Sequence, residues 1–431
     1  MKKIKRSKLM VFLSVVLCMA MVFAGCSNQA SQTPNSAASG EKVLKLAVCS
    51  PMTGESAKAG IEIKDAAVMA MEEAGYKIGE YTIKPVFVDV TTDPEKGALA
   101  LEQAIIKDGV QVAMFSWNSS VIMSLMDVAA KYKIPYYFGH GASAGTIDEK
   151  WLSDPEKYSY YIGKGSAKPE LLAANSYINV INEAMEAGTF KPGNKNIAIY
   201  GDDTDWGRSI GGSIRDSFVQ DGWSKVYEDY FTMGTTDFYA ILSKMKTTEP
   251  SIIAGTISSP ASAAAFLKQA KELNINAVII CDALSENADY YELTGDSVNY
   301  VLDSRPVWAS DAAFAFVDSF EKKYNYSPSP FNGGQVWDYM RFFIKCGEET
   351  IKKYGVLDSE SLHKFAKEVL MVGEFTFSDG IIMENYKFDA NSAPGPVVGE
   401  GYYTFPVLQF MGPKINPIWP SSQANGEFQL P

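Results

Sequence analysis

From Val43 onward, short apolar runs alternate with longer segments in which apolar residues recur every three or four positions. Apolar runs bounded by turn residues predict buried strands, and the longer period predicts helices. The first strand-like runs are VLKLAVCS (43–50), TIKPVFVDV (82–90), VQVAMFSW (110–117) and IPYYFG (134–139). Helical segments lie between them at about 61–75, 94–109 and 120–132. This alternation predicts a mostly parallel sheet that helices cover on both faces.

The same alternation begins again near Lys164. Its strand-like runs are NKNIAIYGDD (194–203), KVYEDYFT (225–232), SIIAGTIS (251–258) and NAVIICDA (276–283). We therefore predict an α/β fold of two doubly wound parallel-sheet lobes joined by hinge crossovers. The first lobe is expected to hold residues 43–164 with about 300–365, and the second 165–299 with about 366–431. A ligand of such sheets binds at the carboxyl ends of the strands, here across a cleft between the lobes.

The first 42 residues differ in character from the rest. A cationic start and the uncharged apolar run of residues 9–24 predict a secretory signal peptide over 1–25. The run ends in Ala24-Gly25-Cys26, which resembles a bacterial lipobox and implies that Cys26 is lipidated. An ordinary signal peptide or an uncleaved anchor is the alternative. Residues 26–42 are polar and small, and this composition predicts a flexible tether.

Net charge limits the classes of binding partner, and cysteine content indicates whether disulfides are expected. The chain of 431 residues has a formal charge of −12, and the predicted signal peptide carries only positive charges, so the remainder is more acidic still. Such a body does not suit nucleic acid or an anionic membrane surface. After Cys26 only Cys49, Cys281 and Cys346 remain, each in an apolar segment. This sparse set predicts buried thiols rather than a disulfide framework.

Several segments together resemble the type I periplasmic binding proteins, in the leucine/isoleucine/valine-binding branch of ABC importers. They are SPMTG, AKAGIEIKDAAVMAMEEAG, FSWNSSVIMSLMDVAAKYKIPYYFGHGASAG, IAIYGDDTDWGRSIGGSIRDSFVQDGW and GTTDFYAILSKMKTTEPSIIAGTISSPASAAAFLKQAKEL. The similarity runs from Val43 to about Cys346 and more weakly beyond. It implies a monomeric lipoprotein outside the cytoplasm, without cofactor, that captures an amino acid or related solute and delivers it to permease subunits.

The resemblance also implies a carboxylate site in the first lobe. Its members hold the ligand carboxylate by hydroxyls and amides in the loops after the third and fourth strands. Here these loops contain Trp117, Asn118, Ser119 and Ser120, and then Gly141, Ala142 and Ser143. Hydroxyls and free amides at a helix N-terminus favour an anion. The sequence has one residue more between these two loops than the family pattern, so the choice between Ser119 and Ser120 stays open. For Ser120 an N-cap on its helix is the alternative role.

In the second lobe the resemblance implies an aromatic wall and a carboxylate for the ligand ammonium. Trp206, before Gly207, takes the place of the aromatic residue, with a core role as the alternative. Asp282, after the strand AVIICDA, takes the place of the carboxylate, with a helix cap as the alternative. Thr256 lies in a loop that departs from the family pattern, as does Ala59. An amino acid, an amide and an aromatic acid all remain open as ligands.

Two other functions share parts of this sequence. Residues 141–145 fit the G-x-S-x-G pattern of α/β-hydrolases, but a polar, broken segment follows instead of an apolar helix, and His140 and His363 are poorly placed as bases. A ligand-sensing receptor subunit of the same fold is the other alternative. The sequence contains no H-E-x-x-H, C-x-x-C or Walker pattern, so we expect neither an enzyme nor a metal protein.

Overall fold

The computed structural model describes residues 41–141, 143–168 and 173–431. Residues 41–431 form one unit built on two sheets with helices packed against them. The predicted signal peptide, its Cys26 and most of the predicted tether lie outside the described residues, as does Ala142. In the described part of the chain, no helix combines the length and apolar character needed to cross a membrane.

The first sheet has six strands in the order β2-β3-β1-β4-β5-β6. They are β1 Val43–Ser50, β2 Lys77–Ile78, β3 Tyr81–Asp89, β4 Val112–Phe115, β5 Tyr136–Gly139 and β6 Tyr161–Lys164. All neighbours are parallel except β2 and β3, which form a short hairpin. Strand β1 lies at the centre with a nearly continuous buried sequence, as expected when helices cover both faces.

The second sheet has seven strands in the order β15-β14-β11-β10-β9-β7-β8. They are β7 Asn196–Asp202, β8 Ser224–Phe231, β9 Ile252–Thr256, β10 Val278–Asp282, β11 Leu302–Ser304, β14 Val407–Met411 and β15 Lys414–Trp419. Strands β7 to β11 run parallel to one another, and β14 and β15 extend the sheet in the antiparallel orientation. A separate hairpin pairs β12 Thr376–Phe377 with β13 Tyr386–Lys387.

The helices follow the predicted alternation with the strands. Those of the first half are α1 Ala57–Glu73, α2 Pro94–Gln103, α3 Ser119–Tyr132, α4 Glu149–Ser153, α5 Asn175–Glu186 and α6 Asp205–Gln220. Those of the second half are α7 Tyr239–Thr247, α8 Pro260–Glu272, α9 Tyr290–Thr294, α10 Asp311–Tyr324, α11 Val336–Tyr354 and α12 Ser359–Phe365. The fold prediction of two parallel-sheet lobes is confirmed.

The boundaries in the C-terminal half differ from the expected ones. Residues 375–405 pack on the first lobe, because Phe377, Tyr386 and Phe388 fill the aromatic cluster around Phe342 of α11. The chain reaches the second sheet only at β14, and β11 already belongs to that sheet. The chain therefore crosses between the lobes more than once in its C-terminal half. The sequence there has little hydrophobic periodicity from which these crossings could be predicted.

Candidate ligand-binding cleft

The carboxyl ends of strands from both sheets open on one cavity of about 610 Å³. The first lobe lines it with Trp117, Asn118, Ser119, Ser120, His140 and Gly141. The second lobe contributes Thr204, Trp206, Ser258, Glu286 and Arg305, and Phe331 and Phe405 complete the wall. The carboxyl ends of the strands of the two sheets thus meet at a cleft in the structure, as predicted.

A sharp turn after β4 brings the first predicted loop to the cavity. Phe115 and Ser116 adopt φ angles of 73° and 74°, in the left-handed region that non-glycine residues rarely occupy. This turn ends the strand two residues earlier than predicted and directs Trp117 across the cleft. Asn118 occupies the N-cap position of α3 without a side-chain capping bond, so Ser120 is not the N-cap of this helix.

Ser119 and Ser120 both line the cavity but make different contacts. Ser119 is almost fully buried, and its Oγ accepts a hydrogen bond from the backbone N of Ser143 at 3.3 Å. The Oγ of Ser120 accepts from the backbone N of Asp205 at 3.4 Å, so this serine joins α3 to the start of α6 in the other lobe. Gly141 packs against Ser119 so closely that a Cβ there would lie 2.9 Å from the Cα of Ser119.

Ser143 lies behind the cavity rather than on its wall. The residue is fully buried, and its Oγ accepts a hydrogen bond from Thr146 at 2.8 Å. Ser143 therefore supports Ser119 from below and does not present a free hydroxyl. The same position argues against a nucleophile, because the Ser143 hydroxyl is already bound within its own turn.

In the second lobe, Arg305 is the best-held charged group at the cavity. It follows β11, and its Nη1 and Nη2 donate to the two carboxylate oxygens of Asp282 at 3.2 and 2.9 Å. Its Nε donates to Oε1 of Glu286 at 2.5 Å, and Nη1 also donates to the carbonyl of Ser304 at 2.7 Å. These bonds fix the guanidinium plane. Burial lowers the pKa of Arg305, but the charges of Asp282 and Glu286 outweigh that effect and hold the pKa well above its ordinary value.

The predicted role of Asp282 needs correction. Asp282 is fully buried, does not line the cavity, and has both oxygens bound by Arg305, with a further hydrogen bond from the hydroxyl of Tyr177 at 2.8 Å. Burial raises the pKa of Asp282 to about 6, and the charge of Arg305 opposes that rise. A ligand ammonium therefore has no free access to this carboxylate, which instead anchors Arg305.

Glu286, four residues later in the same loop, is the carboxylate that reaches the cavity. Its Oε2 accepts from Nε1 of Trp117 at 3.1 Å, and its Oε1 accepts from Arg305. Burial raises the pKa of Glu286 to about 7, against the lowering effect of Arg305. The carboxylate of Asp303 shapes this loop by accepting from the backbone N atoms of Ala283 and Ser285 at 2.9 and 2.8 Å.

Trp206 lies on the cavity wall as predicted, whereas Thr256 supports it. The indole Nε1 of Trp206 donates to Oγ1 of Thr256 at 3.3 Å, and that hydroxyl donates to the carbonyl of Asp282 at 2.9 Å. Thr256 is fully buried and does not line the cavity. The guanidinium of Arg305 lies 5.7 Å from the Trp206 ring, within cation–π range.

Ten lining residues were not identified from the sequence as ligand contacts: His140, Ser166, Ala167, Ala173, Thr204, Ser258, Glu286, Arg305, Phe331 and Phe405. Arg305 follows the short apolar run VL and two polar residues. A strand that ends just before Arg305 could therefore have been predicted from the sequence. His140 packs edge-on against the rings of Phe115 and Phe331. Burial lowers its pKa to about 3, so the imidazole is neutral at physiological pH.

Further contacts join the lobes across the cleft. Lys58 on α1 forms an ion pair with Asp289, and the Oγ of Ser259 donates to Oε2 of Glu55 at 3.4 Å. Together with the hydrogen bonds of Trp117 and Ser120 described above, these interactions connect the carboxyl ends of the strands in the two lobes. The structure therefore shows the two lobes bridged across the cleft.

Comparison with known proteins agrees with this architecture. A family model for periplasmic binding proteins matches residues 43–391, most of the chain. The chain therefore belongs to the periplasmic binding protein family. The family places the folded body outside the cytoplasm and among solute-binding proteins rather than enzymes, so the hydrolase alternative is set aside.

Among curated relatives, the Leu/Ile/Val-binding protein BraC3 of Rhizobium johnstonii is 22% identical over 62% of this chain and 68% of its own length. The Leu/Ile/Val-binding protein homolog 2 of Brucella abortus is 24% identical over 47% and 51%. The matched regions thus span about two thirds and about half of these relatives.

Solved structures show the same fold. A putative branched-chain amino acid ABC transporter protein from Silicibacter pomeroyi matches with a TM-score of 0.74 and 18% identity, over 90% of this chain and 99% of its own. A solute-binding protein from Rhodopseudomonas palustris, solved with 3,4-dihydroxybenzoic acid, matches with a TM-score of 0.68 and 19% identity, over 85% and 93%.

Proposed function

We propose that this chain is the solute-binding component of an ABC importer and that it captures an amino acid or amino-acid-like solute between its lobes. The observation that carries the proposal is the meeting of two unlike surfaces in one cleft. The first lobe offers the N-terminus of α3 with its serine hydroxyls, and the second offers the carboxylate of Glu286 beside an aromatic wall.

The first-lobe surface suits a carboxylate. The amides at the start of a helix have no partner within that helix and point out of its N-terminus, where the helix dipole favours an anion. Ser119 and Ser120 add hydroxyls at the same place, and the absence of a Cβ at Gly141 lets the two loops approach closely. A carboxylate there would exchange its water shell for several aligned donors.

The second-lobe surface suits an ammonium. Arg305 supplies one positive charge to the two carboxylates of Asp282 and Glu286, so this buried group carries an excess of negative charge when both are ionised. The raised pKa of Glu286 shows the cost of keeping its charge in a dry site. A ligand ammonium beside Glu286 would supply the missing positive charge.

The apolar part of the ligand would pack on aromatic rings. Phe331 and Phe405 are almost fully buried, and Arg305 lies 5.6 and 5.7 Å from their rings. Trp206 adds a third ring. Aromatic walls of this kind give contact area while the polar groups fix orientation.

An aromatic acid without an amine is the second candidate. The aromatic wall favours it, and so does the fact that both oxygens of Glu286 already accept hydrogen bonds from the protein. Two structural neighbours from Rhodopseudomonas palustris were solved with 3,4-dihydroxybenzoic acid and with 4-hydroxybenzoate. The two candidates differ in the need for an ammonium, which binding measurements can test directly.

The proposal includes an anchor at Cys26 and delivery to permease subunits by a monomer. The Ala24-Gly25-Cys26 pattern supports the anchor, and the polar sequence of residues 26–42 is suited to a tether that lets the body reach a permease. A sensory role would use the same cleft.

A thermal-shift panel tests the proposal. Purified protein is heated with each L-amino acid, with its analogue lacking the α-amine, and with hydroxybenzoates. A true ligand at 100 times its Kd should add about 2.7 kcal/mol to the free energy of unfolding. Stabilisation by at least one L-amino acid but not by its amine-free analogue is expected. Stabilisation by benzoates alone would replace the first candidate with the second.

A further inference from the structure

A second cavity adjoins the candidate cleft. It shares Trp117, Ser258 and Glu286 with the first cavity. Its other walls come from both lobes, with Ala59 on α1 from one side and Ala263 on α8 from the other. The two cavities are therefore neighbouring parts of one space between the lobes.

Two shared side chains stand at the boundary between the cavities. Trp117 and Glu286 are joined by the hydrogen bond from Nε1 to Oε2 at 3.1 Å. A single side-chain hydrogen bond has a small net free energy, because water or a ligand can supply the replacement. A ligand whose ammonium lies beside Glu286 is consequently at the boundary and can extend into either cavity.

The second cavity carries polar atoms that lack partners. Asn332 donates from Nδ2 to the carbonyl of Glu286 at 3.3 Å, which leaves its Oδ1 without a hydrogen bond to the described residues. The Oγ of Ser56 is likewise without a partner among them. These two residues are only 1% and 2% exposed. Buried polar atoms are nearly always hydrogen-bonded, and Oδ1 can only accept.

The remaining wall has an apolar part, beside which Glu55, Lys58, Ser258 and Asn287 also line the cavity. Ala59, Ala263 and Leu284 leave width for an alkyl chain and offer it no hydrogen bonds. An occupant that matches this wall has an aliphatic stem and an N–H-bearing end group that reaches Asn332 and Ser56. The α-amino acids with long side chains that end in N–H donors have this form.

We propose that the second cavity is a subsite for the side chain of the ligand, and that the solute is an α-amino acid whose long side chain ends in N–H donors. The inference rests on the proposed function, because the α-ammonium and carboxylate are held in the first cavity. Trp117 then moves from Glu286 to admit the side chain.

Calorimetric titration with three probes tests this subsite. L-Citrulline and L-arginine carry N–H end groups without and with a charge, and L-norleucine has a long side chain without donors. The parent protein should bind citrulline or arginine at least about tenfold more tightly than norleucine. Equal or tighter binding of norleucine would overturn the subsite while leaving the proposed function intact. Absence of binding by every α-amino acid, these three included, would overturn both.

Matched variants locate the effect. Ala59→Leu fills the second cavity and should abolish the preference over norleucine, whereas Ala57→Leu, two residues earlier on α1 and outside the cavity wall, should keep it. Ser56→Ala provides the same test without added volume and should reduce the preference at least about threefold. An unchanged preference in both Ala59→Leu and Ser56→Ala would contradict the assignment, and urea unfolding confirms that each variant is folded.

Discussion

Arg305 is the single side chain on which the charged part of the cleft depends, so its removal tests the electrostatic account. In Arg305→Met, Asp282 keeps the hydroxyl of Tyr177 and Glu286 keeps the indole of Trp117, but both lose their positive partner. Removing one partner of a buried ion pair destabilises a protein by about 3–5 kcal/mol. We expect a loss in this range near neutral pH.

The loss should depend on pH in a defined direction. Burial already raises the pKa of Asp282 to about 6 and that of Glu286 to about 7. Without Arg305 both values rise further above those of the unfolded chain. A carboxyl with a raised folded pKa stabilises the fold at low pH, and this contribution disappears as the pH rises through the folded value. Each pH unit then costs up to about 1.4 kcal/mol per group.

Urea unfolding followed by tryptophan fluorescence at pH 5.5 and pH 8 measures both effects. Arg208→Met is the control, since Arg208 pairs with Asp203 at 2.7 Å on the surface, where an ion pair contributes about 0–1 kcal/mol. A loss below about 1 kcal/mol for Arg305→Met at pH 8, or a loss that does not grow between pH 5.5 and pH 8, would show that Arg305 does not stabilise the two buried carboxylates.

Three further predictions concern other parts of the chain. Gly141→Ala would place a Cβ 2.8 Å from Cδ1 of Ile122 and 2.9 Å from the Cα of Ser119, so we expect destabilisation by about 1–3 kcal/mol together with weaker ligand binding, measured by urea unfolding and calorimetry. Burial raises the pKa of Glu62 to about 8 and of Asp338 to about 7, so the parent's free energy of unfolding should fall from pH 6 to pH 8.5; a rise over this range would contradict these shifts. Cys26→Ser should release the protein from membranes in cell fractionation with its solute binding intact, and retention at the mature mass would disprove the lipid anchor.

The strands and helices of the alternating segments could be predicted because strands buried on both faces are apolar along nearly their whole length. β1 and β9 are apolar nearly throughout, and Gly109 and Gly222 follow helix ends at φ angles of 71° and 86°. Residues 375–405 could not be assigned in the same way. Their aromatic side chains pack singly into the first lobe from irregular backbone, and this arrangement has no period.

The cleft was predicted more completely on one side than on the other. Ser119 and Trp206 follow predicted strands directly, so their place at the strand ends was foreseeable. Asp282 also ends a strand, but Ala283 adopts a left-handed φ of 72° and turns the chain, so that Glu286 reaches the cavity instead. Arg305 comes beside Asp282 because Ile280 pairs with Leu302 in parallel register. Neither the turn at Ala283 nor the register of Ile280 with Leu302 can be predicted from the local sequence.

The most direct test of the central claim is calorimetric titration of the parent and Glu286→Gln at pH 8, with the best L-amino acid from the panel and its analogue without the α-amine. We expect the parent to prefer the amino acid by about 2–5 kcal/mol, or roughly 30- to 5,000-fold in Kd, and Glu286→Gln to lose most of this preference. Undiminished preference in Glu286→Gln, or equal binding of the two compounds by the parent, would contradict a cleft that reads an ammonium through Glu286.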